Sequence, residues 1–240
     1  MTLFTDSLIE ALRLVRDGNS YVLSVVLLSL RVSGMAVLLG VLLGLPVGIA
    51  VGMGRFRGRA LIVALIHTGF ALPPVVVGLF VYMMLSRAGP AGQLEMLFTP
   101  AAMVVAQAVL AAPYVAGISL AAVQAVPADV RLQARALGAS SALALWMHLR
   151  EARLGIGAAV VAGFGAVISE VGAVMLVGGN IAGETRVMTT AIVLETRRGN
   201  FATALALGLI LLTLAFVINV ALTHAQQGRA AVLTAERRSW

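Results

Sequence analysis

Apolar residues along this chain gather into long runs separated by short polar connections, rather than alternating at the period of a surface helix or strand. A helix rises about 1.5 Å per residue, so about 20 apolar residues cross the roughly 30 Å hydrocarbon layer of a bilayer. Five segments reach that length, at about 32–52, 60–85, 101–123, 155–177 and 201–223. The first run begins earlier, at Tyr21, but Arg31 interrupts it. The span proper is therefore set at 32–52, and 21–31 either lengthens a tilted span or continues the helix before it. Leu3, Leu8, Leu12 and Val15 are spaced three to five apart, which predicts a weakly amphipathic helix over 3–16 lying along the interface. The domain reading is an interfacial segment 1–19, a membrane-embedded body 20–226 and a polar, arginine-bearing tail 227–240 that reads as a solvated end. The fold class is all-α, a polytopic membrane protein with five spans.

One helical segment lies outside the hydrocarbon. Residues 127–150 connect the third and fourth spans and are too polar at their start for a lipid interior. Pro127 suits a first helical turn, Asp129 complements the positive end of the helix dipole, and Gly138 suits a C-terminal stop, so a short helix is predicted over 128–137. Arg131 and Arg135 then share one face, with Val130, Ala134 and Leu137 on another. A helix this short is marginal alone in water and must dock on something, its own bundle or a partner.

Composition agrees with the pattern: 60% of the 240 residues are hydrophobic and only 11% are charged. An ordinary soluble domain has about 45–50% apolar and about 25% charged residues. All 17 basic residues are arginine, so the formal charge of +7 includes no Schiff-base or P-loop lysine, and no cysteine is present for disulfides, thiolate nucleophiles or zinc sites. The arginines fall in small clusters between apolar runs, not in the single patch of a nucleic-acid binder, so no nucleic-acid partner is expected. Their bias sets orientation instead. Arg55, Arg57, Arg59, Arg131, Arg135, Arg150, Arg153, Arg229, Arg237 and Arg238 outnumber those at the opposite ends, which places the N-terminus outside and the C-terminus in the cytoplasm. The amino terminus starts polar and acid-bearing, unlike a cleaved signal peptide, and is expected to stay on the mature protein.

Within the spans, Gly40, Gly44, Gly48 and Gly52 recur every four residues along one helix face, where a second helix can approach closely. Pro46, Pro73, Pro74 and Pro113 each remove a backbone hydrogen bond, and such breaks in lipid line cavities or mark moving elements. Pro73-Pro74, midway along the second span, points most clearly to a pathway. Arg31 reads as snorkelling into the outer headgroup layer. His67 reads as a hydrogen-bonded packing residue, and His148 and His224 as ordinary residues near cytoplasmic ends.

The stretch LQARALGAS, following VPADVR in this cytoplasmic connection, resembles the coupling motif of ABC importer permeases, an acidic residue, two small residues, three variable positions and a glycine. In this chain Leu132 stands at the acidic position, Gln133 and Ala134 at the small ones and Gly138 at the glycine. Leucine replaces the usual glutamate, and glutamine the first alanine. The resemblance spans about residues 20–226. Residues 163–201, GFGAVISEVGAVMLVGGNIAGETRVMTTAIVLETRRGNF, resemble the permeases of tungstate and molybdate importers, the tungstate type more closely. The family resemblance implies an inner-membrane homodimer, two cytoplasmic ABC ATPase subunits carrying ATP and Mg, and an extracytoplasmic substrate-binding protein. Cofactors are then absent from this chain, which is not itself an enzyme. It further implies that Arg131, Ala134, Arg135, Leu137, Gly138 and Ala139 meet the ATPase.

A tetrahedral dianion in low dielectric needs donors or positive charge. Ser169, Asn180, Thr185, Arg186, Thr189 and Thr190, near the outer end of the fourth span, are the candidates for the pathway or gate. Glu170 would repel an anion, so it holds a donor in place or forms a gate contact. The alternative for the whole cluster is a folded external loop whose polar groups satisfy one another. Arg197-Arg198 either dock an acidic rim on a binding protein or form a solvated loop end. Nothing in composition or spacing names the solute, and the same fold carrying molybdate, sulfate, phosphate or a small organic molecule stays open. An intramembrane enzyme would need a nucleophile with a base, or a metal set. No HExxH or GxSxG is present, and Ser169 has a carboxylate neighbour but no histidine in its span, so catalytic and metal-binding residues are both expected to be none.

Overall fold

The computed structural model describes the backbone of residues 2–237 and the side chains of residues 4–221. The described residues form helices and no strand. In chain order these are α1 (Thr2–Arg16), α2 (Ser20–Met53), α3 (Arg59–Phe70), α4 (Pro74–Leu85), α5 (Pro100–Ala125), α6 (Asp129–Ala136), α7 (Ser141–Ile168), α8 (Gly172–Gly178), α9 (Met188–Arg197) and α10 (Phe201–Arg237), with a single 3₁₀ turn at Gly92–Leu94. By length and composition α2, α5, α7 and α10 can each cross a membrane, and α3 with α4 makes a fifth crossing if the bent pair is one span.

Helix α5 is the hub, packing against α2 and α7 most extensively and also against α3, α4 and α8. The α2–α5 seam is where the glycine row lies. A Cβ at Gly40 would stand 2.7 Å from the Ala111 Cβ, one at Gly52 would stand 3.2 Å from the Leu120 carbonyl oxygen, and those at Gly44 and Gly48 would overlap the α5 backbone. The row is a packing device: in lipid, association comes from van der Waals contact between close backbones, which small residues permit. Around the seam Val32, Ala36, Met103, Ala106, Val167 and Val174 form the main core. A second cluster, with Val22, Val25, Met188, Ala191 and Leu207, joins α2 to α9 and α10.

Several expected boundaries change. Helix α2 runs unbroken through Arg31, which sits on its exposed side and leaves the backbone ladder intact. Asn19 sets the start, its Oδ1 accepting from the Tyr21 and Val22 amides. The second span is two half-helices bent by 99°, because Pro73 and Pro74 cannot donate to the preceding turn. The fourth, expected at 155–177, does not exist as one helix: α7 begins at Ser141, inside the connection reckoned as 127–150, and stops at Ile168. Residues 172–178 form the separate α8. The interfacial helix is present as α1 and packs on α10 with Ala11 buried, while Leu12 and Val15 of the expected apolar row face outward. Helix α10 passes the expected end at 223 and continues to Arg237. The solvated character expected of 227–240 lies outside the described side chains, as do His224, Arg229, Arg237 and Arg238.

Candidate functional site: a capped outer end and a projecting helix

The α7–α8 break gathers the polar residues at the end of the bundle opposite α6. Ser169 closes α7, its hydroxyl donating to the Gly165 carbonyl at 2.9 Å within its own helix. Glu170 caps α8, its Oε1 accepting from the Gly172 amide at 2.6 Å and the Ala173 amide at 3.3 Å. A carboxylate at the positive end of a helix satisfies otherwise orphaned amides, which accounts for an acid beside a proposed anion path. Gly179 and Asn180, at φ +72° and +54°, then reverse the chain.

The threonines are spent on backbone. Buried Thr185 donates to the Gly178 carbonyl at 2.5 Å and accepts from the Ile181 amide at 2.9 Å. Thr189 donates to the Glu170 carbonyl at 2.8 Å, tying α9 to the break. Thr190 accepts from the Val187 amide at 3.1 Å and holds the start of α9. The folded-loop arrangement therefore describes these hydroxyls. Arg186 differs: its guanidinium reaches the Asn180 side chain and carbonyl, both at 3.3 Å, and the Tyr21 hydroxyl at 3.5 Å, and it meets no carboxylate among the described residues. Of the cluster, Arg186 keeps an uncompensated positive charge.

Sequence reasoning missed the groups that hold this end together. Glu195 is buried, accepting from Tyr21 at 3.2 Å and Asn200 at 3.0 Å, with Arg198 at 3.7 Å. Arg198 is thus partly spoken for, whereas Arg197 is exposed. Ser29 on α2 accepts from the Met188 amide at 2.7 Å. Gln107, buried in α5, donates to the Val167 carbonyl at 2.8 Å and accepts from Ser33 at 3.4 Å, satisfying a carbonyl at the end of α7. The available signal was a lone amide in an apolar run.

At the Pro73-Pro74 break, Tyr114 of α5 stacks on Phe70 at 5.0 Å, and its hydroxyl lies 3.5 Å from the Phe70 carbonyl that the break frees. His67 is not the hydrogen-bonded packing residue expected. It sits on the exposed side of α3, 5.9 Å from the Phe70 ring, with no hydrogen bond among the described residues.

At the opposite end α6 forms as expected, one residue shorter at each end. Its stop is built by Gly138 at φ +87°: the Gly138 amide donates to Arg135 and the Ala139 amide to Ala134, both at 3.0 Å. That paired arrangement closes a helix only when the residue after the cap takes the left-handed conformation. Ala134 is buried as α6 packs on α7, and Arg135 donates to Ser141 at 2.9 Å. Leu137 does not share the Ala134 face. It is the cap residue, where the helical register ends, and is 89% exposed. Leu132 is 64% exposed and, with Arg131 and Arg135, lines a cleft of about 810 Å³ between α6, the end of α2 and the start of α7.

The described residues thus form a bundle with a broken second span, a capped α7–α8 end and an amphipathic helix projecting from the opposite end. The chain belongs to the family of binding-protein-dependent transport system inner membrane components, whose model matches residues 44–230. It is 47% identical over 205 residues to a probable anion ABC transporter permease protein of Haloferax volcanii, covering 83% of this chain and 88% of that one. It is 35% identical to the tungstate uptake system permease protein of Peptoclostridium acidaminophilum, covering 90% and 95% of the two chains. The molybdenum transport system permease protein of Escherichia coli K12 is 30% identical, with 69% and 76% covered. Among solved structures, an amino acid ABC transporter matches with a TM-score of 0.67 at 21% identity, covering 88% of this chain and 95% of that one. A bacterial ABC transporter that imports alginate matches at 0.69 and 19%, covering 85% and 78%. The chain is a multi-pass permease of the ABC importer kind.

Proposed function

We propose that this chain is the permease subunit of an ATP-driven importer that carries tungstate into the cell. The observation that supports the solute is near full-length similarity to a relative named as a tungstate permease. In this reading two copies form the pathway, an external binding protein delivers the oxoanion, and two ABC ATPases supply the energy. ATP and Mg reside on those partners, and the chain does no chemistry of its own.

The division of labour follows from the residues. At the outer end, Arg186 meets no carboxylate among the described residues and Asn180 holds it in place, so a dianion released there meets a guanidinium rather than bare hydrocarbon. Glu170 faces inward to its own helix amides and serves as a positioning residue for the α7–α8 turn. At the other end, Ala134 anchors α6 to α7 while Leu132 and Leu137 project as apolar pegs. Because α7 carries on from α6 toward the outer break, movement of α6 by the ATPase is handed to the turn that holds Glu170 and Thr189. The ATPase must bind the inward-open and outward-open arrangements differently, or nothing is transmitted. The glycine row holds α2 against α5 during that motion, and Pro73-Pro74 supplies the bend. In this reading the N-terminus lies outside and the C-terminus in the cytoplasm.

Uptake of labelled tungstate by cells or proteoliposomes containing the permease, its ATPase and its binding protein tests the assignment. Tungstate accumulation that excess unlabelled tungstate suppresses, and sulfate does not, is expected. Accumulation of molybdate or sulfate with tungstate ignored transfers the chain to the solute class of its more distant relatives.

A further inference from the structure

A second basic site lies at the end of the bundle opposite Arg186. The α2–α3 turn, the α5–α6 turn and α7 border an open cavity of about 410 Å³, lined on its polar side by Arg55, Arg59, Gln124, Arg131 and His148. Small-ligand sites occupy about 300–1,000 Å³, so the space is adequate. Among the described residues no aspartate or glutamate lines it, and Asp129 at the start of α6 is exposed and outside the lining.

The arginines and the histidine are not equivalent. Arg59 is already used, its Nε donating to the Val51 carbonyl at 2.9 Å, where it closes the end of α2. Arg55 and Arg131 have no acceptor among the described residues, although Arg131 is partly buried. His148 is 3% exposed, and its Nε2 lies 3.0 Å from the Val123 carbonyl. A carbonyl only accepts, so Nε2 carries the hydrogen. Nδ1 is then left buried with no partner. Buried polar atoms are almost always paired, and one that is not calls for a missing partner. With Nε2 carrying the hydrogen, Nδ1 only accepts, so it complements an O–H of the ligand, while the two unpaired guanidinium forks complement bare, negatively charged oxygens, a combination that a hydrogen phosphate-type anion or a hydroxylated phosphate headgroup presents.

We propose that this cavity binds a phosphate-type tetrahedral oxoanion, which Arg55 and Arg131 grip and which lies beside His148. Two sources present that chemistry at this end of the bundle, a free inorganic oxoanion and the phosphate of an anionic lipid headgroup. The site stands apart from the outer-end cluster and is independent of which solute is imported.

The full-length protein in nanodiscs separates the sources. In discs of phosphatidylcholine alone, the melting transition is followed against inorganic phosphate, with chloride at matched ionic strength as reference. In discs that also contain phosphatidylglycerol, retained phosphatidylglycerol is counted by native mass spectrometry. Binding in the first arm identifies a free-anion site, and binding in the second alone a headgroup site. In whichever arm responds, Arg55→Gln with Arg131→Gln should weaken binding at least about tenfold, the loss expected from removing charge-assisted hydrogen bonds. Arg57→Gln, a neighbouring exposed arginine outside the cavity, should leave it unchanged. The exposed single change Arg55→Gln guards against a folding defect in the double variant and should weaken binding on its own. Binding in neither arm overturns the site, as does an equal loss in Arg57→Gln, which would reduce the effect to general positive charge.

Discussion

At the level of single residues, packing between α2 and α5 has the sharpest consequences. A Cβ at Gly48 would overlap both the Ser119 hydroxyl and the Ala116 carbonyl, whereas Gly34 on the same helix has open space beside it. Overpacking a tight contact costs about 1–3 kcal/mol, so Gly48→Ala should lower the unfolding midpoint in detergent clearly. Gly34→Ala should be neutral or raise it, since alanine gains up to about 1 kcal/mol of helix propensity over glycine. Equal effects from the two would mean that the glycine row is not what sets the α2–α5 distance. Gln107 makes a second case. Removing its amide takes away the interhelical partner of the Val167 carbonyl, which keeps only the amides of its own turn, Glu170 at 3.2 Å among them. Gln107→Leu should cost about 1 kcal/mol, the scale of interhelical hydrogen bonds within membranes, and a matching loss of stability is expected in the same unfolding assay.

Among the elements, α6 is short enough that its closing turn decides whether it holds. Gly138 takes φ +87° with no atom within 4 Å of where a Cβ would go, so a substitution there meets a dihedral penalty and no collision within its own subunit. The left-handed conformation costs an ordinary residue about 1–2 kcal/mol, more for a β-branched one, while asparagine tolerates it. Gly138→Val should therefore lower uptake and ATPase stimulation with membrane insertion intact, and Gly138→Asn should retain most of both. Unchanged uptake with a bound, stimulated ATPase in Gly138→Val would remove α6 from the transmitting role. This helix was legible from sequence because Pro127, Asp129 and Gly138 mark its ends chemically. The α7–α8 break was not, because hydropathy registers how apolar a stretch is and is blind to its direction. Residues 155–177 stay apolar through the turn, and only Ser169-Glu170 interrupts them. Those two are a helix stop and a helix cap in succession, a pattern that two residues in an apolar run do not announce. The polar cluster beyond was recognised as a set, but each threonine's partner is a backbone carbonyl or amide whose position depends on that unseen turn. Leu137 shows the same limit in miniature, since its face was assigned on a helical register that ends one residue earlier.

For the whole molecule, the two ends of the bundle differ in what their arginines meet. At one end Arg198 is paired with Glu195 and Arg186 with Asn180 and Tyr21. At the other, Arg55 and Arg131 surround an acid-free cavity and Arg57 is exposed. Cytoplasmic connections of membrane proteins are enriched in arginine and lysine, so the second end is expected to face the cytoplasm, where α6 would meet its motor. The chain contains no cysteine, which makes the expectation directly measurable. Single cysteines can be introduced at exposed positions of the two ends, Arg57→Cys in the α2–α3 turn and Glu184→Cys in the loop after α8, without background from native thiols. In intact spheroplasts a membrane-impermeant maleimide should label Glu184→Cys and leave Arg57→Cys unreacted until the membrane is permeabilised. The reverse pattern would invert the bundle, put α6 on the outside beyond reach of any cytoplasmic ATPase, and turn Arg186 toward the cell interior. Both the delivery end and the energised end would then be lost together, because the fold holds them at opposite extremes of the helices that join them.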